Sequence, residues 1–422
     1  MNHSTSRRLA GYCLLFLLLQ AAPASAQSVS MYQAPLQLRV PSPAMKDTET
    51  VELILPKELS TSKHRKYPVV FVFDKQNRFI YQNTLNNIDY TTAMMRMPAC
   101  IIVGISYTGA NRTPRTMPAY NGTRGKADDM LTFLLDELFP VLQQQYQAAN
   151  FKLLIGHSRT AIFSQHAIMA RPRDINGIIA SSASLFDFGS AQEQVIFEKG
   201  LDTIARLPQQ RFFYFSTGDS LLSGLPGGDG HQATVTKLDQ YLRAKKLPAN
   251  FIWKSYFHAN ATHNMTPGLT VPDALNSLFS RHTLTLNRTF AKPFTTDTAQ
   301  LRQYIQEELA ATSDLYGYPV QADITFYNSL ASHYLYGKHQ LGDKKYELAR
   351  FIWRQASRAY PQFGAFYLSL AELYEREHNS AQAKECLNKA LQCNNPFVTE
   401  TEQAAERAEI SNKLAALVGN KQ

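Results

Sequence analysis

The chain has 422 residues, which is too many for one compact core, so we expect at least two domains. Apolar residues make up 44% of the chain and charged residues 18%, a composition typical of globular proteins and unlike that of disordered ones. The formal net charge is +9 at pH 7, but the basic residues are scattered and form no stripe with interleaved aromatic residues. This pattern argues against a nucleic-acid partner.

The first 26 residues have the pattern of an export signal. Arg7 and Arg8 form a positive start, residues 9–19 form an apolar run, and the Ala-Ser-Ala sequence at 24–26 is a typical cleavage site. The alternative is a membrane anchor, but the run is shorter than the roughly 20 apolar residues that span a bilayer. We therefore predict a bacterial protein that is exported, periplasmic or secreted, with no membrane-spanning segment after cleavage.

From residue 51 onwards, short apolar segments alternate with helical patterns. Continuous apolar runs rich in β-branched and aromatic residues suit strands that are buried on both faces. Alternation of such strands with helices predicts an α/β fold with a mostly parallel central sheet flanked by helices. The predicted strands cover residues 51–55, 68–73, 100–105, 151–155, 175–180, 211–215 and 251–256. The helical patterns cover residues 128–146 and 234–245, and another begins near Arg159.

The C-terminal part of the chain shows a 34-residue register. Small and large apolar residues recur at this spacing, as helix pairs of the tetratricopeptide type need for close packing. The matched positions are Tyr336 and Leu370, Gly337 and Ala371, Ala349 and Ala383, Trp353 and Leu387, and Ala356 and Ala390. A more polar helix over 399–418 is expected to cap the stack of repeats. The alternative is two ordinary helical hairpins whose spacing coincides. We predict a signal at 1–26, a sheet domain at 27–285, a helical connector at 286–325 and an all-α, tetratricopeptide-like repeat domain at 326–422.

The three cysteines that follow the leader are Cys100, Cys386 and Cys393. The last two lie seven positions apart on one predicted helix, about 10.5 Å along its axis, which is too far for a disulfide. No cluster of cysteines and histidines has the spacing of a zinc site. We expect neither a disulfide framework nor a metal site.

The segment from Phe151 to Ala161 carries the strongest signal for chemistry. A buried strand leads into Gly156-His157-Ser158-Arg159-Thr160, and a helical pattern starts at once. A nucleophile elbow needs this context, because a sharp turn between strand and helix exposes the serine hydroxyl above the sheet. Gly156 leaves room for the neighbouring backbone, whereas Thr160 stands where glycine is usual. We predict that Ser158 is a nucleophile.

An activated serine needs a base, and the base needs an orienting acid. In this type of fold the acid and then the histidine follow the serine along the chain. Asp219 comes just after the strand that begins at Arg211, so it is the favoured acid. Its rivals are Asp229, in a glycine-rich loop, and Asp187, after an earlier strand.

Among the histidines, His263 is the favoured base because it follows the last predicted strand at a reachable distance. His258 lies close to the end of that strand, where a hydrogen-bonded structural role suits it. His157 is expected to pack away from the serine, and His231 is expected to be a loop residue.

The oxyanion hole is expected to use two backbone N–H groups. One is that of Arg159, the residue after the nucleophile, and the other is that of Lys75, in the loop after the first core strand. Arg112, Arg115 and the Arg159 side chain lie on loops near the same edge. They either bind an anionic group of the substrate or serve as solvated or structural residues.

These residues resemble the putative-esterase group of α/β-hydrolases, which includes enterochelin, feruloyl and acetyl-xylan esterases, relatives of esterase D and mycolyltransferases. The matching segments are Tyr67–Asp74, Ile101–Ile105, Gly156–Ser158, Ile178–Leu185 and Thr262–Leu269, within residues 35–280. The resemblance implies Ser158 as nucleophile, His263 as base and Asp219 as acid. Exported bacterial members also resemble this chain in carrying tetratricopeptide repeats after the hydrolase domain.

The chain departs from the group at Thr160, Ala161 and Lys75, where glycines are usual. The leading hypothesis is a serine carboxylesterase that forms an acyl-enzyme and needs no metal or organic cofactor. Its substrate would be a small-molecule, carbohydrate or siderophore ester. The alternatives are a non-catalytic hydrolase fold whose repeat domain recruits a protein partner, and an acyltransferase with the same triad.

Overall fold

The computed structural model describes residues 30–118, 125–185, 191–223, 230–292, 295, 297–337 and 341–419. The predicted export signal lies outside these residues. The chain divides into a sheet unit, formed by Met31–Pro293 and Arg302–Asp323, and a helical unit that contains Ile324–Gln422. Residues 302–323, which fall in the predicted connector, group with the sheet unit.

The sheet has eight strands in the order β1-β2-β4-β3-β5-β6-β7-β8. Strands β3 to β8 pair in parallel, whereas β1 and β2 are antiparallel to their neighbours. The prediction of an α/β-hydrolase fold with a mostly parallel sheet is confirmed. The strands are β1 Leu36–Ser42, β2 Asp47–Ile54, β3 Tyr67–Val72, β4 Ile101–Gly104, β5 Ala148–His157, β6 Gly177–Ser181, β7 Arg211–Gly218 and β8 Phe251–His258.

Helices cover both faces of the sheet, and a separate apolar core fills each layer. Phe73 and Phe163 pack edge to face on one side, and Phe151 packs against Phe279 and Tyr316 on the other. The helices are α1 Arg78–Ala93, α2 Arg112–Thr116, α3 Ala127–Thr132, α4 Phe139–Tyr146, α5 Arg159–Ala170, α6 Ala191–Ile204, α7 His231–Arg243, α8 Thr266–Leu278, α9 Ser280–Ala291 and α10 Thr298–Tyr316. A π-helical segment, Phe133–Leu138, joins α3 to α4.

The helical unit confirms an all-helical C-terminal region. Its helices are α11 Ile324–Tyr336, α12 Lys344–Ala359, α13 Gly364–Arg376, α14 Ser380–Gln392 and α15 Glu400–Gly419. The central register pairs, Ala349 with Ala383 and Ala356 with Ala390, are buried, whereas Tyr336 is exposed and its counterpart Leu370 is buried. The tetratricopeptide-like repeat stays a prediction.

Two further properties concern the described ranges as a whole. No helix in them combines the length and the apolar character that crossing a bilayer requires. Cys100, Cys386 and Cys393 are buried free thiols.

Candidate active site

Ser158 occupies the turn between β5 and α5. Its backbone has φ 57° and ψ −120°, a conformation that costs free energy in a residue with a side chain and is concentrated at functional sites. Its N–H donates to the carbonyl of Ser181 at 2.9 Å, which fixes the turn to the neighbouring strand. A Cβ added to Gly156 would lie 2.3 Å from the carbonyl oxygen of Thr160, so only glycine fits there. The segment has the geometry of a nucleophile elbow.

Thr160, which replaces the usual glycine, is fully buried in the elbow. Its hydroxyl accepts a hydrogen bond from the N–H of His157 at 2.9 Å and lies 2.7 Å from Oδ2 of Asp74, to which it donates. Glycine at this position would permit a close approach of the backbone. The Thr160 side chain instead forms a hydrogen-bonded link across the turn.

Asp74 connects the elbow to the loop after β3. Its carboxylate is buried and accepts two hydrogen bonds from Arg112, Nε at 2.6 Å and Nη2 at 2.7 Å. Arg112 Nη2 also donates to the carbonyl of His157 at 3.1 Å, and Gln76 Nε2 donates to Asp74 at 2.8 Å. We call Asp74, Arg112 and Thr160 the elbow clamp.

The guanidinium of Arg112 is thus held by Asp74 instead of facing a substrate. Burial has the largest single influence and lowers the pKa of Arg112. The hydrogen bonds to the Asp74 carboxylate and the charge of that carboxylate together outweigh it, so the pKa is raised. Arg115 is also paired, with Glu49 at 2.6 Å. Both arginines have the structural role that the sequence left as one of two interpretations.

His263 lies against the elbow. Its carbonyl oxygen accepts hydrogen bonds from Nε2 of His157 at 3.0 Å and from Oγ1 of Thr266 at 2.9 Å. The rings of His157 and His263 are 4.7 Å apart between centroids, and the ring of His231 stacks on His263 at the same distance. Contacts with three residues therefore fix the loop that carries the predicted base.

His157 is a neutral donor in this arrangement. Burial, followed by the nearby imidazole of His263, lowers the pKa of His157 to about 4. Because a carbonyl oxygen can only accept, the Nε2 atom of His157 carries the proton. His258, by contrast, contacts Oγ1 of Thr270 at 3.0 Å, which joins the end of the last strand to α8. In the described part of the chain, no group of three or more potential ligands could hold a metal ion.

The acid is not identified by a contact. Asp219 follows β7; its N–H donates to the carbonyl of Ala261 at 2.8 Å, and its Oδ1 accepts from the N–H of Leu221 at 3.1 Å. Among the described residues, no hydrogen bond or ion pair joins the Asp219 carboxylate to His263. Asp187 and Asp229 lie outside the described residues. His231, which stacks on His263, is two positions beyond Asp229 in the chain.

The oxyanion prediction needs one correction. The N–H of Lys75 donates to the carbonyl of Ile105 at 2.9 Å, because the parallel pairing of β3 and β4 extends past the strand ends. The prediction of Lys75 as a donor is therefore wrong, and its ammonium pairs with Glu52 at 2.7 Å. The next residue, Gln76, is exposed, and no acceptor for its N–H occurs in the described residues. Arg159 begins α5, where N–H groups have no acceptor within the helix.

The comparisons with known proteins agree with the fold. Residues 42–196 match the family described as Putative esterase, a segment that contains Ser158 and the elbow clamp but ends before Asp219 and His263. An IroE-like serine hydrolase from Shewanella oneidensis has a similar structure, with a TM-score of 0.58 at 18% identity over 76% of this chain and 100% of that one.

An uncharacterised protein from Capnocytophaga ochracea has a TM-score of 0.55 at 15% identity, over 92% of this chain and 100% of that one. At these identities the likeness concerns the fold. The comparison with curated proteins finds no match.

Proposed function

We propose that the chain, whose residues 42–196 match the Putative esterase family, is a carboxylesterase with Ser158 as its nucleophile and His263 as its general base. The observation that carries the proposal is the strained Ser158 at the start of α5, with the His263 loop packed on the adjacent His157. The fit of Thr160 inside the elbow supports an active site over a non-catalytic fold.

In the proposed reaction, Ser158 Oγ attacks the ester carbonyl while His263 takes the hydroxyl proton. The negative charge that develops on the carbonyl oxygen is stabilised by the N–H groups of Arg159 and Gln76 and by the N-terminus of α5. His263 then returns the proton to the departing alcohol, which leaves an acyl group on Ser158. A water molecule, deprotonated by the same imidazole, releases the carboxylic acid and restores the serine.

The acid that orients His263 is proposed to be Asp219, from its place at the end of β7. Its rival is Asp229, which precedes His231 by two positions in the sequence. Asp219→Asn and Asp229→Asn decide between them. The orienting acid is the one whose loss lowers kcat by roughly 10⁴ without unfolding the protein.

Export and the substrate are also part of the proposal. The pattern of residues 1–26 supports a protein that acts outside the cytoplasm on a small-molecule ester, with carbohydrate and siderophore esters as candidates. The helical unit is proposed to recruit a protein partner through its repeat-like helices.

Hydrolysis of p-nitrophenyl butyrate by purified variants tests the proposal. Ser158→Ala and His263→Ala are each expected to lower kcat by about 10⁴ or more, since members of a triad act as a unit. Ser60→Ala and His64→Ala are matched controls, because both residues are exposed and lie outside the site. Full activity in Ser158→Ala would refute the assignment.

A further inference from the structure

The edge of the sheet that carries Ser158 is rimmed by large apolar side chains exposed to solvent. Phe79 is 80% exposed and Leu221 is 74% exposed, and several exposed large apolar side chains grouped at one edge mark an interaction or ligand site. We call the set the apolar rim. Its members are Phe79, Leu221, Leu222, Met265 and Leu269.

All five residues follow the C-terminal ends of strands. Phe79 lies in the first turn of α1, three positions beyond Gln76. Leu221 and Leu222 form the short helical turn after β7. Met265 precedes α8 and Leu269 lies in its first turn. In parallel sheets this edge is where substrates bind.

The helices and loops that carry the rim are in contact with one another. Helices α1 and α8 pack together, and a Cβ on Gly268 would lie 3.5 Å from the Asn83 side chain. Phe79 and Met265 each lie about one turn from this contact, towards the start of their helices. On the other side, the bond from Asp219 N–H to the carbonyl of Ala261 ties the turn of Leu221 to the His263 loop.

From this arrangement we infer that the rim binds the alcohol part of the substrate and that this part is large and apolar, an alkyl or aryl group. The inference rests on the proposed function. A general acid must reach the oxygen of the leaving alcohol, so that alcohol lies beside His263. Met265 and Leu269, two and six positions after His263, stand where the departing group would extend.

The rim favours a substrate group over a separate macromolecule because it is continuous with the reacting groups. Leu221 and Leu222 donate their N–H groups to Asp219, and Met265 adjoins the turn whose Thr266 hydroxyl fixes His263. Pockets for small molecules have this composition, with mostly apolar walls around a few polar groups. Three of the charged side chains near the elbow, those of Lys75, Arg112 and Arg115, are already paired with carboxylates, so none of these three is free to bind an anionic alcohol part.

Kinetics with alkyl acetates test the inference, since the alcohols from ethyl to hexyl have similar leaving-group reactivity. A fully buried methylene raises kcat/KM about fourfold and a half-buried one about twofold. Four added methylenes on the rim should thus raise kcat/KM roughly 10- to 30-fold from ethyl to hexyl acetate. In Met265→Gln combined with Leu269→Gln, this ratio is expected to fall below about fivefold.

The matched control is Met94→Gln, an exposed methionine at the far end of α1, which should keep the wild-type ratio. A flat dependence on alcohol length with persisting hydrolysis of ethyl acetate would overturn the inference and leave the proposed function standing. A ratio that survives the double substitution, or a rise with acyl length alone, would also overturn it. Absence of hydrolysis for every ester would remove the proposed function and the inference together.

Discussion

Replacing Thr160 by valine removes one hydroxyl from the elbow clamp and keeps the shape of the side chain. The hydroxyl is the acceptor for the N–H of His157 and a donor to the Asp74 carboxylate. Valine leaves the N–H of His157 buried without an acceptor, and it removes one of the donors to the Asp74 carboxylate. Arg112 continues to hold Asp74, so the elbow is loosened instead of being deprived of the whole clamp.

The magnitude follows from these two bonds. A buried donor without a partner costs about 1–3 kcal/mol, and a hydrogen bond to a charged group is worth about 1.5–3 kcal/mol. We expect a loss of about 3 kcal/mol in the free energy of unfolding, which corresponds to a Tm lower by about 6–12 °C for a unit of this size. Because the clamp fixes the turn that carries the Arg159 N–H, kcat should fall roughly 100-fold, as when one oxyanion donor is displaced.

The assay compares Thr160→Val with Thr160→Ser. Serine retains the hydroxyl, so we expect kcat within about fivefold of the wild type for Thr160→Ser, and KM within about threefold for both variants. If Thr160 served stability alone, Thr160→Val would lower Tm without lowering kcat relative to KM. Wild-type kcat and Tm in Thr160→Val would refute the reasoning.

Three further outcomes follow from the same geometry. Gly156→Ala should yield little soluble protein and no ester hydrolysis, since the new Cβ would meet the backbone of Thr160; circular dichroism of any soluble fraction checks this. Arg112→Lys replaces a two-point contact with Asp74 by a single charge, so kcat should fall about 10-fold and stopped-flow assays should show no rescue by added salt. The pKa of His157 is depressed from its ordinary value of 6.5 to about 4, so its protonation favours the unfolded chain. The unfolding free energy should decline by about 3 kcal/mol as the pH falls from 6.5 to 4, and urea titrations of His157→Gln should lack this component.

Much of the fold can be predicted from the sequence because buried parallel strands have continuous apolar runs. Strand β3 is buried at every position, and the predicted run over 68–73 matches it to within a residue. Strand β1 was missed for the opposite reason. It is an antiparallel edge strand in which Gln37 and Arg39 are exposed, and it contains Pro41, so it has no continuous apolar signal.

The elbow can be predicted from the sequence because all its parts are local, from the strand through Gly156 and Ser158 to the helix. The elbow clamp cannot, because Asp74 and Thr160 lie 86 positions apart and meet only through the pairing of β3 with β5. A weak signal existed: Asp74 and Arg112 follow adjacent parallel strands, whose ends share one edge. The error at Lys75 has a similar origin. The bond from its N–H to the carbonyl of Ile105 depends on how far the pairing of β3 with β4 extends.

The most direct test of the central claim is the covalent state of Ser158 during turnover. The protein is mixed with p-nitrophenyl pivalate, whose bulky acyl group slows deacylation, and is analysed by intact and peptide mass spectrometry. We predict one pivaloyl group per chain, on the peptide that contains Ser158, formed at least roughly 1,000-fold more slowly in His263→Ala. Turnover of the ester with Ser158 unmodified, or with the acyl group on another residue, would contradict the account.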